Sequence, residues 1–279
     1  MNNKGWDGEI NYRNSFKGLQ YFARGTFSYA KNKIVFRDEA NPRYPWLART
    51  GQPIGQGFGY IFDGYYQSLE DIANSPKPTT SIKPGDLKYK DLNGDGIIDA
   101  LDQRAVGSPN LPSTTIGLTL GFTYKGISFS MLLQGAYDYS MYFASEAIEG
   151  LSANFQPIHQ QAWTPELGNN AKFPLLGTNS TISRANVSLS DFWLVDARYL
   201  RLKTMEIGYQ LPTSWVKPIG FKGIRVYTNG YNLLTWTNVD KFYQADPESV
   251  NASGGIINTG AITAYPNQRI YNFGVTFSL

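Results

Sequence analysis

Thr114-Thr-Ile-Gly-Leu-Thr-Leu-Gly-Phe-Thr-Tyr124 is followed by Lys125-Gly126 and then by Ile127-Ser-Phe-Ser-Met-Leu-Leu-Gln-Gly-Ala-Tyr137. In the first run Ile116, Leu118, Leu120, Phe122 and Tyr124 alternate with Thr115, Gly117, Thr119, Gly121 and Thr123. In the second, Ile127, Phe129, Met131, Leu133 and Tyr137 alternate with Ser128, Ser130, Gln134 and Ala136. Strands turn successive side chains to opposite faces, so period two predicts strands with one apolar and one polar face. The Lys125-Gly126 break predicts a tight turn between them.

The same pattern recurs outward from this hairpin. Residues 6–14 set Trp6, Gly8, Ile10 and Tyr12 against Asp7, Glu9, Asn11 and Arg13. Residues 19–35 set Tyr21, Ala23, Gly25, Phe27 and Tyr29 against Arg24, Thr26, Ser28 and Asn32. At the far end Tyr271, Phe273, Val275, Phe277 and Leu279 face away from Asn272, Gly274, Thr276 and Ser278. Residues 197–210 and 223–234 also read as strands, but with apolar groups on both faces.

The connections fall at 16–18, 37–113, 125–126, 138–196, 211–222 and 235–268, so short and long alternate. In an up-and-down meander this places every long loop at one end. A soluble sandwich has no reason to sort loops so, whereas an outer-membrane barrel has short periplasmic turns and long extracellular loops. A tilted strand needs about 9–11 residues to cross the bilayer, and most of these segments reach that length. Tyr12, Tyr29, Tyr124, Tyr137, Tyr209, Trp215 and Trp236 fall near strand ends, where an aromatic girdle sits. The expected fold is therefore all-β, an antiparallel up-and-down transmembrane β-barrel segment.

Composition narrows the function. Aromatics make up 15% of the 279 residues and charged residues only 17%. There is no Cys and one His, His159, which removes disulfides, thiolate zinc sites, cysteine nucleophiles and multi-His metal sites. A net charge of +3 gives no phosphate-binding surface for nucleic acid. No run of about 18 apolar residues predicts a membrane helix. Seven strands leave two open edges in lipid, where each unsatisfied backbone group is costly. The expectation is the end of a longer barrel, with several copies closing one together as the alternative; the lack of an apolar signal segment in Met1-Asn-Asn-Lys-Gly-Trp6 points to the first. No serine elbow, phosphate loop or paired-carboxylate spacing is found, and Gly55-Gln-Gly57-Phe-Gly59 lacks the dinucleotide-binding spacing. No enzymatic chemistry is expected.

Within residues 84–109, Asp91-Leu-Asn-Gly-Asp-Gly-Ile-Ile-Asp-Ala-Leu-Asp102 has the spacing of a calcium loop. Asp91, Asn93, Asp95, Asp99 and Asp102 would supply side-chain oxygens, Ile97 its carbonyl, and Gly96 the sharp turn. The implied ion is a structural Ca2+ that stiffens the second connection. The alternative is an Asp/Asn/Gly-rich turn that binds nothing tightly. Trp163, Phe173 and Trp193 are weak substrate-stacking candidates, with pinning of the long loops as the equal alternative. His159 reads as a packed or solvated loop residue.

Four segments carry a family resemblance: Pro84–Asp99, Asp196–Pro212, Ile224–Asn238 and Tyr271–Leu279. Gly5-Trp6 and Tyr29–Ile34 fit as well. Together they resemble the C-terminal part of a SusC/RagA-type TonB-dependent outer-membrane transporter. The resemblance spans residues 1–279 and implies the last strands of a barrel of about 22 with a plugged lumen. It implies import of an oligosaccharide or peptide across the outer membrane of Bacteroidetes. It also implies a SusD-like surface lipoprotein as lid, and TonB acting through the plug-bearing region that has no counterpart here. Strands would meet outer-membrane lipid outside and plug or water inside. The rival reading is a secreted, calcium-stiffened all-β carbohydrate-binding module.

Overall fold

The structure, a computed structural model, describes residues 1–143, 157–177, 184–239, 245–248 and 267–279. Seven strands form one sheet: β1 (Asn2–Phe16), β2 (Leu19–Lys33), β3 (Thr114–Tyr124), β4 (Ile127–Tyr137), β5 (Tyr199–Gln210), β6 (Gly223–Thr237) and β7 (Ile270–Ser278). Their order in the sheet is their order in the chain, and every neighbouring pair is antiparallel. The turns after β1 and β3 are two residues long. Lys17 and Lys125 each adopt a φ of 47°, and Gly18 and Gly126 a φ of 85°. Positive φ at both central residues is the twist that lets a two-residue hairpin match its strands.

Register carries the alternation across the whole sheet. Leu118 pairs with Gly25 on one side and Leu133 on the other, and Leu133 with Leu202. Thr119 pairs with Arg24 and Leu132. One face is thus apolar from Trp6 to Phe277, and the other largely polar from Glu9 to Thr276. The apolar face is bare: Trp6 is 78% exposed and Phe273 86%.

The two mixed-face segments have a structural cause. Between Leu202 and Thr204 the register with β4 slips by one, leaving Lys203 as an extra residue. The register with β6 slips at the same level, where Asn232 takes a φ of 53°. A bulge reverses the alternation, so Leu200 and Leu202 share the outward face with Met205, Ile207 and Tyr209. On the polar face, large side chains lie flat over glycines of the next strand. A Cβ on Gly121 would stand 2.5 Å from the Phe22 ring, and one on Gly274 would run into the Tyr227 ring.

The hydrophobic core lies in the connections. Tyr65, Leu87, Met141, Phe143, Ile158, Phe173 and Trp193 are buried together, and only Ala136 and Tyr199 join them from the wall strands. The connection 34–113 and the described parts of 138–198 interleave to build this lobe. Phe62–Tyr65 pairs with Leu87–Tyr89, Ser140–Tyr142 with Leu194–Asp196, and Tyr60 bridges to Ser190. A short helix α1 (Leu69–Asn74) is capped by Ser68, whose Oγ accepts from the Asp71 N–H.

Candidate functional site

The polar face is a band of paired charges and amides. Arg24 in β2 meets Glu9 in β1 at 2.8 Å. Arg225 in β6 meets Glu206 in β5 at 2.7 Å and also donates to Ser128 Oγ in β4. Asn272 in β7 donates to Asn229 in β6, which reaches Glu206 in turn. These contacts tie neighbouring strands and leave the remaining hydroxyls and amides facing the open side.

Where this face meets the long connections, charge is concentrated and buried. Arg201 in β5 is 2% exposed. Its guanidinium donates to Asp246 at 2.6 Å, Glu248 at 2.5 Å and Thr235 Oγ1 at 2.9 Å. Lys203, the bulge residue, donates to both Glu248 oxygens at 2.7 Å. Tyr139 donates to the Pro247 carbonyl, and Asp246 and Glu248 also receive Asn267. Segment 245–248 is thereby clamped to the wall. The sequence reading missed this cluster. Its signal was available: two cations, Arg201 between Leu200 and Leu202 and Lys203 between Leu202 and Thr204, and Asp246-Pro-Glu248 as their counterpart.

The Asp-rich loop closes on itself. Asp91 accepts from the Gly94 and Gly96 N–H groups, Asn93 from Asp95, Asp95 from Ile97, and Asp99 from Leu101. Burial raises the Asp91 carboxyl, but the Gly96, Gly94, Asp95 and Asn93 N–H groups outweigh it and hold it below the usual carboxylate value. Asp102, expected to close a calcium shell, is fully buried. It accepts from Leu92, Asn93 and Asp99. Among the described residues no three His, Cys, Asp or Glu side chains converge as placed.

Trp163, Phe173 and Trp193 are buried in the lobe core at 5%, 2% and 0% exposure. Phe173 packs edge-on against both His159 and Trp193. They are therefore not placed to stack on a ligand from solvent; they pin the loops. His159 is buried beside them. A buried polar clasp helps fasten the lobe. Asn186 accepts the Leu87 N–H at 2.8 Å and donates to Asp86 at 2.8 Å. Burial pushes the Asp86 carboxyl above its ordinary pKa despite the Lys83 N–H and the Asn186 amide.

The chain is 29% identical to TonB-dependent receptor P3 of Formosa agariphila over 302 aligned residues, 99% of this chain and 28% of that protein. This chain is similar to TonB-dependent receptors. TonB-dependent receptor P26 of the same organism matches at 29% over 99% of the chain and 29% of its own length. TonB-dependent receptor SusC of Bacteroides thetaiotaomicron matches at 27% over 79% of the chain and 20% of its own length. A solved structure of the RagAB peptide transporter superposes with a TM-score of 0.68 and 22% identity, covering 99% of this chain and 29% of that one. The chain thus spans under a third of the proteins it matches, and the seven-stranded wall has the fold of part of that transporter. No family model matches the chain.

Proposed function

We propose that this chain is wall and outer loops of an outer-membrane nutrient importer, capped by a SusD-like lipoprotein and driven through TonB. The observation that supports this most is the register: seven antiparallel strands keep apolar side chains on one bare face and mostly polar ones on the other. A surrounding of lipid makes that much uncovered apolar surface favourable. The polar face would line the lumen or touch the plug. The lobe and the clamped 245–248 segment would form the outer mouth that meets lid and cargo. The cargo proposed is a peptide, after the RagAB peptide transporter, or an oligosaccharide, as the family resemblance implies. No covalent step is assigned to any residue.

Membrane fractionation tests this. The chain should sediment with outer membranes, resist alkaline extraction and require detergent for release. Recovery as a detergent-free soluble protein would favour the secreted module instead.

A further inference from the structure

The three short connections share a motif that the wall reading leaves unused. They read Phe16-Lys17-Gly18-Leu19, Tyr124-Lys125-Gly126-Ile127 and Phe221-Lys222-Gly223-Ile224: aromatic, Lys, Gly, aliphatic. Lys17, Lys125 and Lys222 are all exposed, as is Lys217 in the third turn. Segments 14–21, 122–129, 207–228 and 273–279, matched by the strand register, make up this end of the sheet. They hold Lys17, Lys125, Lys217, Lys222 and Arg225 and no acidic side chain, and Arg225 reaches Glu206 at the next level.

Backbone conformation supplies an independent observation. Lys17 and Lys125 sit at a φ of 47°, a left-handed position that favours Asn, Asp or Gly in such a turn. A long cation at this position is a conformational cost, so its charge or reach must offset it. Each lysine lies over the ring beside it, Lys17 Nζ 5.3 Å from the Phe16 centroid and Lys125 Nζ 5.2 Å from that of Tyr124. Phe16, Trp215, Ile219 and Phe277 are exposed at the same rim. Apolar rings with ammonium groups just beyond them match an acyl boundary followed by headgroup phosphates.

We infer that this turn rim is a basic collar that binds the phosphates of anionic phospholipid headgroups in the periplasmic leaflet. The inference rests on the membrane-wall reading. An acid-free rim selects anionic over zwitterionic lipid, and each lysine near such a surface is worth about fivefold in binding.

The test is lipid retention by the full chain in detergent, read by native mass spectrometry. The probes are phosphatidylglycerol and phosphatidylcholine at equal concentration. The wild type should retain phosphatidylglycerol at least about fivefold over phosphatidylcholine. Combined Lys17→Asn, Lys125→Asn and Lys222→Gln changes should bring retention to parity. Combined Lys4→Gln, Lys31→Gln and Lys33→Gln changes at the other end should leave the preference intact. The wild-type preference should also fall as ionic strength rises, a reading independent of whether any variant folds. Parity in the wild type, or a preference that survives the turn variant or high salt, overturns the collar, and an acidic periplasmic protein then becomes its candidate partner. Failure to retain either lipid overturns the membrane-wall reading along with it.

Discussion

Asn186 donates through Nδ2 to Asp86 Oδ1 at 2.8 Å, joining two connections 100 residues apart inside the lobe core. The same side chain accepts the Leu87 N–H, and its backbone carbonyl accepts the Trp193 indole. Asn186→Ala strands a buried carboxylate and a buried amide, each worth about 1–3 kcal/mol when left unsatisfied. Thermal unfolding followed by tryptophan fluorescence should shift down clearly. A shift corresponding to under about 0.5 kcal/mol, the usual range of a surface change, would remove the clasp from the account.

Asp86 also gives the lobe a pH dependence. Burial raises its folded pKa above the unfolded value. Its contribution is therefore fully present below the unfolded pKa and lost as pH rises through the raised folded one. Asp71 is shifted the other way by the Gln67 N–H, with Lys88 and Ser75 adding to it. Its contribution is present above the ordinary carboxylate pKa and lost as pH falls through the lowered one. Stability should peak in mild acid, between these two limits. Asp86→Asn should flatten the decline on the alkaline side. An unchanged profile in that variant would assign the decline to another group.

Arg201 and Asp246 are buried together, and Arg201 also holds the partly exposed Glu248. Removing one partner of a buried pair costs about 3–5 kcal/mol, because the other charges stay behind. Arg201→Met should open the clamp and expose 245–248 to limited proteolysis. Lys203→Met should do less, since Lys203 and Glu248 are 28% and 24% exposed and solvent screens them. Equal proteolysis in both variants would contradict the hierarchy.

The Asp91–Asp102 loop should keep its fold without an ion, because its carboxylates already satisfy backbone donors. Chelator should leave unfolding of the lobe unchanged. Asp102→Ala should destabilise it whether or not calcium is present. A rise of several degrees on adding Ca2+, lost in Asp91→Asn, would show that the loop takes up the ion.

Most of the wall was legible in the sequence because a half-buried strand has period two and a hairpin has a turn signature. The strand pair around Lys125-Gly126 runs from Thr114 to Tyr137 as read. Legibility failed at Lys203 and Asn232, where one extra residue per strand reverses the phase and makes two clean faces look mixed. The lobe was not legible at all. Its core joins Leu87 to Trp193 through irregular chain, and irregular packing has no period to read. For that reason Trp163, Phe173 and Trp193 could be weighed equally as stacking platforms or as pins. Asp102 is open to two readings for a related reason: turn capping and calcium ligation ask for the same oxygens at the same spacing.

The central claim is that the two faces of this sheet meet different solvents. Leu118 and Thr119 are adjacent in β3 and point to opposite sides. Leu118→Arg places a charge toward lipid at about 2–4 kcal/mol near mid-membrane, whereas Thr119→Arg places it among polar groups. Assembly into membranes, measured as the fraction protected from alkaline extraction, should fall sharply for Leu118→Arg and little for Thr119→Arg. Equal loss in both, or a greater loss for Thr119→Arg, would contradict the account.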